Sequence, residues 1–353
     1  MSGPNIFDVL VIGGGQSGLA LGYYLRRSEL TYKILDKEES AGGSWQHFWE
    51  SLQLFSPAQW SSLPGTLMQG GPDYYPGRNE TIEYLKGYEE KYKIPVERSV
   101  HIEKVEQAEE GIIKLYTNKG VWMSRALISA TGSFSNPYIP EIPGKDTFKG
   151  KILHSSQYRA PGQFRNKKVV VVGGGNSGTQ ILAELSRVAH TLWVTEKPPR
   201  FLPDEVDGRT LFDAATEMYK ARQEGRSFTP PSLGDIVMVP SVKEARFRGV
   251  LKWNPPIKAF TEEGVILENG KSIAADAVVF CTGFRASLAH LESLGIVENG
   301  KVKTNGTQAE TIKGLWLVGY GNWTGFASST LIGVGRSARK TVQEVETYLA
   351  HNG

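Results

Sequence analysis

The chain has 353 residues, with 40 lysines and arginines against 37 aspartates and glutamates, and a single cysteine. That charge balance excludes the basic footprint of a nucleic-acid-binding protein, and one cysteine excludes an intrachain disulfide and a C-x-x-C redox pair. The length suits two domains, no stretch approaches the ~20 apolar residues that span a bilayer, and the cysteine usage fits a reducing cytoplasm.

In chain order, Phe7 to Ile12 reads as a short buried strand. Gly13, Gly15 and Gly18 then match G-x-G-x-x-G, and a helix is predicted from Leu19 to Arg27. Gly13 permits a tight turn, Gly15 has no Cβ to block a pyrophosphate, and Gly18 lets helix and strand sit close. The helix start, with Gln16 and Ser17, offers N–H groups and positive dipole to an anion. A second strand, Tyr32 to Leu35, ends at Asp36 and Lys37. Asp36 lies 18 residues past Gly18, where a carboxylate can accept hydrogen bonds from a ribose diol.

Gly43, Ser44 and Trp45 form a further turn that allows close backbone approach. Trp45 to Tyr75 reads as a folded loop region that walls a site and includes Phe55 and Ser56. An amphipathic helix is predicted from Thr81 to Tyr92, with Ile82, Leu85 and Tyr88 on one side. Strands are predicted over 100–105, 112–117, 120–122 and 127–129, the last leading to Ala130-Thr131-Gly132, a small-residue turn where backbone can meet a cofactor. Residues 134–166 are Pro-rich and read as a connector between lobes.

The opening motif then returns. A strand from Lys168 to Val172 precedes Gly173-Gly174-Gly175-Asn176-Ser177-Gly178, a helix from Thr179 to Val188, and a strand from Thr191 to Thr195. Glu196 follows, again 18 residues past the third glycine, and so is expected at the offset of Asp36, with Lys197 next. Two cradles 160 residues apart predict an α/β fold with two Rossmann-like dinucleotide-binding domains. The pattern over 201–256 is obscure, with candidate helices from Asp207 to Glu224 and from Pro240 to Gly249. Strands over 264–267 and 277–280 lead to Cys281-Thr282-Gly283, where Cys281 reads as a small buried residue. A strand from Leu315 to Val318, then Gly319-Tyr320-Gly321-Asn322, introduces a largely helical C-terminal stretch whose N-terminus can face a ring carbonyl or phosphate.

With Phe148-x-Gly150-x-x-x-His154-Ser155-x-x-Tyr158 and Gly42-Gly43-Ser44-Trp45 beside the two cradles, the chain resembles the flavin-containing monooxygenases, and more closely their compact bacterial members. Tyr158 favours this type over the sibling Baeyer–Villiger monooxygenases. The resemblance implies a glutathione-reductase-like arrangement, with an FAD domain from residues 1–159 and 286–353 and a nicotinamide domain from 160–285. FAD would lie on Gly13, Gly15, Gln16, Ser17 and Gly18, with Asp36 and Lys37 at the ribose. Gly43, Ser44, Trp45, Ser56, Ala130, Thr131, Gly132 and Asn322 would complete that site. NADPH or NADH would lie on Gly173, Gly175, Asn176, Ser177 and Gly178. Thr195, Glu196, Lys197, Cys281, Thr282 and Gly283 would surround it, with His154 and Tyr158 as linker residues that position it.

The implied activity uses NAD(P)H and O2 to form a flavin C4a-(hydro)peroxide that oxygenates soft nucleophiles, thioether to sulfoxide, or ketones by a Baeyer–Villiger reaction. The cofactor carries that chemistry, so no side chain is assigned as acid or base and no metal is expected. A small-molecule substrate, O2 and a homodimer complete the expectation, without nucleic acid or membrane. An NAD(P)H-dependent flavin reductase without oxygen insertion, or a nucleotide-sensing module, stays open as an alternative. Two departures stand out. Phe55 precedes Ser56 where the family commonly has Asn, and a phenyl ring donates no hydrogen bond, which implies more hydrogen peroxide release. NADPH-selective members place Ser or Thr and Arg after the second strand; here Thr195-Glu196-Lys197 implies use of both nicotinamides with weak preference.

Overall fold

Valines and leucines buried on both faces make the central strands of two parallel sheets, which is why each reads as an unbroken apolar run rather than an alternating one. The computed structural model describes residues 6–204 and 235–352, with Glu217, Ala221 and 224–227 between them. Apart from those few positions, the helix expected from Asp207 to Glu224 lies outside the described residues.

The first half contains β1 (Ile6–Ile12), α1 (Gln16–Leu25), β2 (Tyr32–Leu35), α2 (Arg78–Tyr92), β3 (Val96–Glu97), β4 (Ile102–Gln107), β5 (Ile113–Thr117) and β6 (Gly120–Ser129). Next come β7 (Lys151–His154), β8 (Lys168–Val172), α3 (Asn176–Leu185), β9 (His190–Val194) and α4 (Pro240–Phe247). They are followed by β10 (Trp253–Asn254), β11 (Ile257–Thr261), β12 (Gly264–Leu267), β13 (Ser272–Ala274) and β14 (Ala277–Phe280). The chain closes with β15 (Val297–Glu298), β16 (Lys301–Val302), β17 (Thr304–Asn305), β18 (Gln308–Ala309), β19 (Leu315–Leu317) and α5 (Leu331–His351).

One sheet runs β17-β18-β19-β6-β1-β2-β3, with the β4–β5 hairpin attached to β6; the other runs β10-β9-β8-β14-β7. Within them, β3-β2-β1-β6 and β10-β9-β8-β14 are the same all-parallel order built twice; a fifth parallel strand follows each, from later in the chain in one (β19) and from before the cradle strand in the other (β7). Each cradle strand sits where connections leave in opposite directions, the place an open α/β sheet binds its ligand. Helix α5 packs on α1 and buries Val334, Ala338, Val342, Val345 and Leu349, an apolar stripe at helical spacing, and the Thr330 hydroxyl accepts from Gly333 N–H at 3.1 Å to cap it.

Two expectations change. Residues 120–122 and 127–129 are one strand, because Ser124 between them is fully buried and pairs with both β5 and β1. Lys151–His154, expected as connector and within the first domain's 1–159, is the edge strand of the second sheet, paired with β14. Its Lys-Ile-Leu-His sequence has no apolar run of its own; a partner more than a hundred residues later makes it a strand. The two crossings between domains pair with each other: Tyr138 N–H donates to Gly283 O at 3.0 Å, Arg285 N–H to Asn136 O at 2.8 Å, and Ser287 N–H to Gly132 O at 2.9 Å. Among the described residues no helix is long and apolar enough to cross a membrane.

Candidate functional site

Both glycine turns have the same shape. Gly13 (φ +104°) and Gly173 (φ +134°) are left-handed, and a Cβ on either would lie 2.6 or 2.3 Å from the carbonyl of Ala130 or Cys281 on the neighbouring strand. A Cβ on Gly18 or Gly178 would strike the Gly13 or Gly173 carbonyl at 1.9 or 2.4 Å. The middle glycines differ in kind. A Cβ on Gly15 would approach only Gly43 Cα, at 3.8 Å, and one on Gly175 would meet nothing within 4 Å. Neither α1 nor α3 has a side-chain cap on its first N–H groups. Open space, free donors and a helix dipole fit a pyrophosphate at both turns.

The ends of the second strands are not equivalent in the way residue counting suggests. Gly13 N–H donates to Leu35 O and Gly173 N–H to Val194 O; Asp36 N–H donates to Glu97 O and Thr195 N–H to Asn254 O. A Cβ on Gly14 would touch Asp36, and one on Gly174 would touch Thr195. Thr195, not Glu196, therefore occupies the position of Asp36. The chain from the third glycine to the matching end of the second strand is one residue shorter in the second domain, Gly178 to Val194 against Gly18 to Leu35, which an offset counted from the glycine does not reveal. The buried Thr195 hydroxyl donates to Lys197 O at 2.7 Å, while Glu196 and Lys197 are exposed.

Asp36 is 4% exposed, and Arg98 donates to both Asp36 and Glu89. Burial pushes the Asp36 carboxyl above its ordinary value, against the pull of Gly14 N–H and Arg98. Lys37 lies beside it and donates to Ser135 Oγ at 2.6 Å. Gln16 ties the start of α1 to two other segments, donating to Ser329 O at 2.6 Å and accepting from Trp45 Nε1 at 3.0 Å. A Cβ on Gly319 would lie 2.1 Å from Ser17 Oγ, so the Gly319–Asn322 turn closes directly over α1, with Asn322 exposed.

Below the first cradle runs a buried polar chain. Thr131 Oγ1 donates to Ser287 O at 2.7 Å, so it accepts from Tyr320 Oη at 2.6 Å. Tyr320 in turn accepts from Ser129 Oγ at 2.5 Å, and Ser129 accepts from His290 Nε2–H at 2.9 Å. The Thr131 hydroxyl thus holds the turn from inside, and Ala130 and Gly132 present backbone. Burial pulls His290 down to about 4 and keeps the ring neutral.

On the second domain, Ser156 N–H donates to His154 Nδ1 at 3.1 Å, which makes Nε2 the donor to Gly283 O at 2.9 Å. Burial also lowers the pKa of this ring. Tyr158 is fully buried and donates to Glu184; Thr282 donates to Tyr138 O. Of the two fingerprint side chains, His154 holds the hinge at Gly283 and Tyr158 is fixed on the flank of α3. Burial pushes the Cys281 thiol up to about 12, leaving it an unreactive packing group under the cradle. Asn176 reaches forward, accepting from Val237 N–H at 2.9 Å.

Between the domains lies an aromatic band. Trp45 and Phe48 are 5.3 Å apart, Phe48 and Phe134 4.7 Å, Phe134 and Phe284 5.2 Å, and Phe284 meets the His154 ring edge-on at 4.8 Å. It joins the Gly43–Ser44–Trp45 turn, both interdomain crossings and the end of β7. Phe55 and Ser56 follow in the same loop, partly buried and buried, with Ser56 Oγ 2.7 Å from Ser61 Oγ. Sequence reasoning missed Arg98, His290, Tyr320 and Glu184; each acts through a partner distant in the chain, and no local pattern marks it.

Two open phosphate cradles on duplicated sheets, joined by a paired hinge, define a flavoprotein oxidoreductase with two dinucleotide-binding domains. Family models described as pyridine nucleotide-disulphide oxidoreductase match residues 10–205 and 236–330. A flavin-containing monooxygenase from Stenotrophomonas maltophilia superposes with a TM-score of 0.89 at 46% identity, over 98% of this chain and 99% of that one. An uncharacterized CzcO-like oxidoreductase of Geobacillus kaustophilus is 30% identical over 97% of this chain and 99% of its own. A probable indole-3-pyruvate monooxygenase of Arabidopsis thaliana, YUCCA4, is 27% identical over 98% and 91%. The chain belongs to the flavin-containing monooxygenase family, an enzyme of flavin-dependent oxygenation with FAD and NADP(H) as cofactors.

Proposed function

We propose that the protein oxygenates small neutral soft nucleophiles, converting a thioether to a sulfoxide: thioether + O2 + NAD(P)H + H+ gives sulfoxide + H2O + NAD(P)+. The observation that carries this reading is the apolar aromatic band between the two cradles. It suits an uncharged substrate that needs no side-chain proton donor. FAD, reduced by the nicotinamide cofactor, supplies the electrons that activate O2. The chain's own residues bind and exclude. The start of α1, with Gly13, Gly15 and Gly18, would hold the FAD pyrophosphate and Asp36 its ribose; the start of α3, with Gly173, Gly175 and Gly178, would hold the nicotinamide dinucleotide. Trp45, Phe48 and Phe55 keep water out of the space between them, while neutral His154 fixes the hinge and Tyr158 is held on Glu184 of α3. A homodimer in the cytoplasm is part of the same proposal, and light scattering tests the assembly.

Labelled O2 decides the reading. Label from 18O2 in methyl phenyl sulfoxide is the expected result; nicotinamide oxidation with all electrons ending in hydrogen peroxide would instead establish a reductase without oxygen insertion. Phe55→Asn restores a hydrogen-bond donor beside Ser56, and the peroxide released per nicotinamide oxidised is expected to fall about threefold. An unchanged fraction removes Phe55 from the pocket.

Cofactor choice follows from Thr195. With no buried carboxylate at the ribose position, nothing strictly rejects a 2′-phosphate, and the exposed Glu196 and Lys197 oppose each other through solvent. The two nicotinamides are expected within about a hundredfold in kcat/KM, ~2.7 kcal/mol. Glu196→Ala is expected to raise kcat/KM for NADPH about threefold and leave NADH unchanged; a larger gap in wild type would show that one residue dominates.

A further inference from the structure

Helix α3 faces two ways. Its N-terminus forms the second cradle, while Gln180 and Glu184, one turn apart on its flank, meet the loop of the flavin domain. Gln180 is 7% exposed, and its amide pairs with both backbone polar groups of one residue: Gln53 N–H donates to Oε1 at 3.2 Å, and Nε2 donates to Gln53 O at 3.0 Å. Glu184 accepts from the Ser51 hydroxyl with one oxygen and from Tyr158 with the other. On its opposite edge the same loop pairs with the start of α2, through the Gln53–Gly77 bridge, Leu54 N–H to Pro76 O at 2.9 Å and Arg78 N–H to Leu52 O at 3.0 Å. The Gln180 side chain therefore stands where a neighbouring strand would be. Two residues beyond Gln53 comes Phe55.

We propose that Gln180 and Glu184 are positioning residues for oxygen transfer: from the nicotinamide domain they hold the loop that places Phe55 and Ser56. This rests on the reading of Phe55 as a flavin-pocket residue. The physical argument is geometric. A buried primary amide with its donor and its acceptor committed to the C=O and N–H of one residue fixes the two peptide groups flanking that residue to within the tolerance of two hydrogen bonds. A carboxylate holding two hydroxyls a turn away prevents the loop from pivoting about the first contact. The helix that receives the nicotinamide dinucleotide is then the helix that sets the wall of the oxygenation site. When the clamp is lost, the wall loosens, water enters, and electrons leave as hydrogen peroxide instead of entering product.

The test compares holoenzymes of wild type, Gln180→Met and Gln180→Glu. Methionine keeps the length and removes both hydrogen bonds; glutamate keeps the acceptor for Gln53 N–H and loses the donor. Amide hydrogen exchange over residues 53–56 reads the clamp without turnover. It is expected to quicken about tenfold in Gln180→Met and by less in Gln180→Glu. With NADPH and methyl phenyl sulfide, the peroxide fraction is expected to rise about threefold in the same order, with FAD affinity and the nicotinamide KM within about twofold of wild type. Ser51→Ala, at an exposed position, removes one Glu184 contact and gives the same readouts should the Gln180 variants fold poorly. Unchanged exchange over 53–56 overturns the clamp. Faster exchange with an unchanged peroxide fraction makes the clamp structural only and overturns the positioning role. A wild type that never oxygenates the sulfide overturns the functional reading and this proposal together; one that does, with no extra leak in the variants, overturns this proposal alone.

Discussion

Gly15→Val is expected to give a folded protein that has lost its yellow colour. Gly15 has a φ of −78°, which any residue adopts, and its Cβ direction is empty save for Gly43 Cα at 3.8 Å. The fold therefore loses little. The isopropyl group instead occupies the space in front of the uncapped α1 N-terminus, and FAD affinity is expected to fall at least a thousandfold, ~4 kcal/mol. Gly175→Val is the counterpart: the protein stays yellow, and the nicotinamide KM is expected to rise at least a hundredfold, ~2.7 kcal/mol. Gly18→Ala supplies the contrast, since its Cβ would lie 1.9 Å from the Gly13 carbonyl and the backbone must move; that variant is expected to be insoluble. Flavin absorbance after purification, FAD titration of the apoprotein and thermal unfolding separate these outcomes. A yellow Gly15→Val protein with wild-type flavin affinity would remove the first cradle from FAD binding.

Acid is expected to destabilise the protein through His290. Its pKa is about 4 in the fold, against ~6.5 in the unfolded chain, so above pH 6.5 the ring is neutral in both states and costs nothing. As the pH falls from 6.5 to 4, the unfolded chain binds a proton that the fold refuses, and stability drops by about 3 kcal/mol. His290→Gln keeps an N–H for Ser129 Oγ and removes the titration. Denaturant melts from pH 7.5 to 4.5 are expected to show a steeper loss in wild type than in the variant. His154 acts in the same direction, and the raised Asp36 carboxyl in the opposite one, but both are common to the two proteins and cancel in the comparison. Parallel curves would show that His290 is not the group responsible.

The glycine cradles were legible because a six-residue turn is governed by local sterics. The strands before and after them were legible because a doubly buried parallel strand must be apolar throughout. The same reasoning misplaced Glu196, since equal counts from Gly18 and Gly178 do not mean equal register when the intervening chain is shorter by one residue. It also read β7 as connector, since Lys151–His154 becomes a strand only against β14.

The sequence by itself determined that this protein has two G-x-G-x-x-G turns, one cysteine too few for dithiol chemistry, and before Ser56 a phenylalanine, which donates no hydrogen bond. The tertiary structure alone decided that Thr195 stands in the position matching Asp36, that the Thr131 hydroxyl turns inward to a chain ending at His290, and that Gln180 and Glu184 grip the loop bearing Phe55. The first group depends on neighbours within a few residues, whose backbone limits are written in their side chains. The second depends on contacts between segments more than a hundred residues apart, or on the exact length of a loop, and those are set by how the two sheets and their hinge pack together.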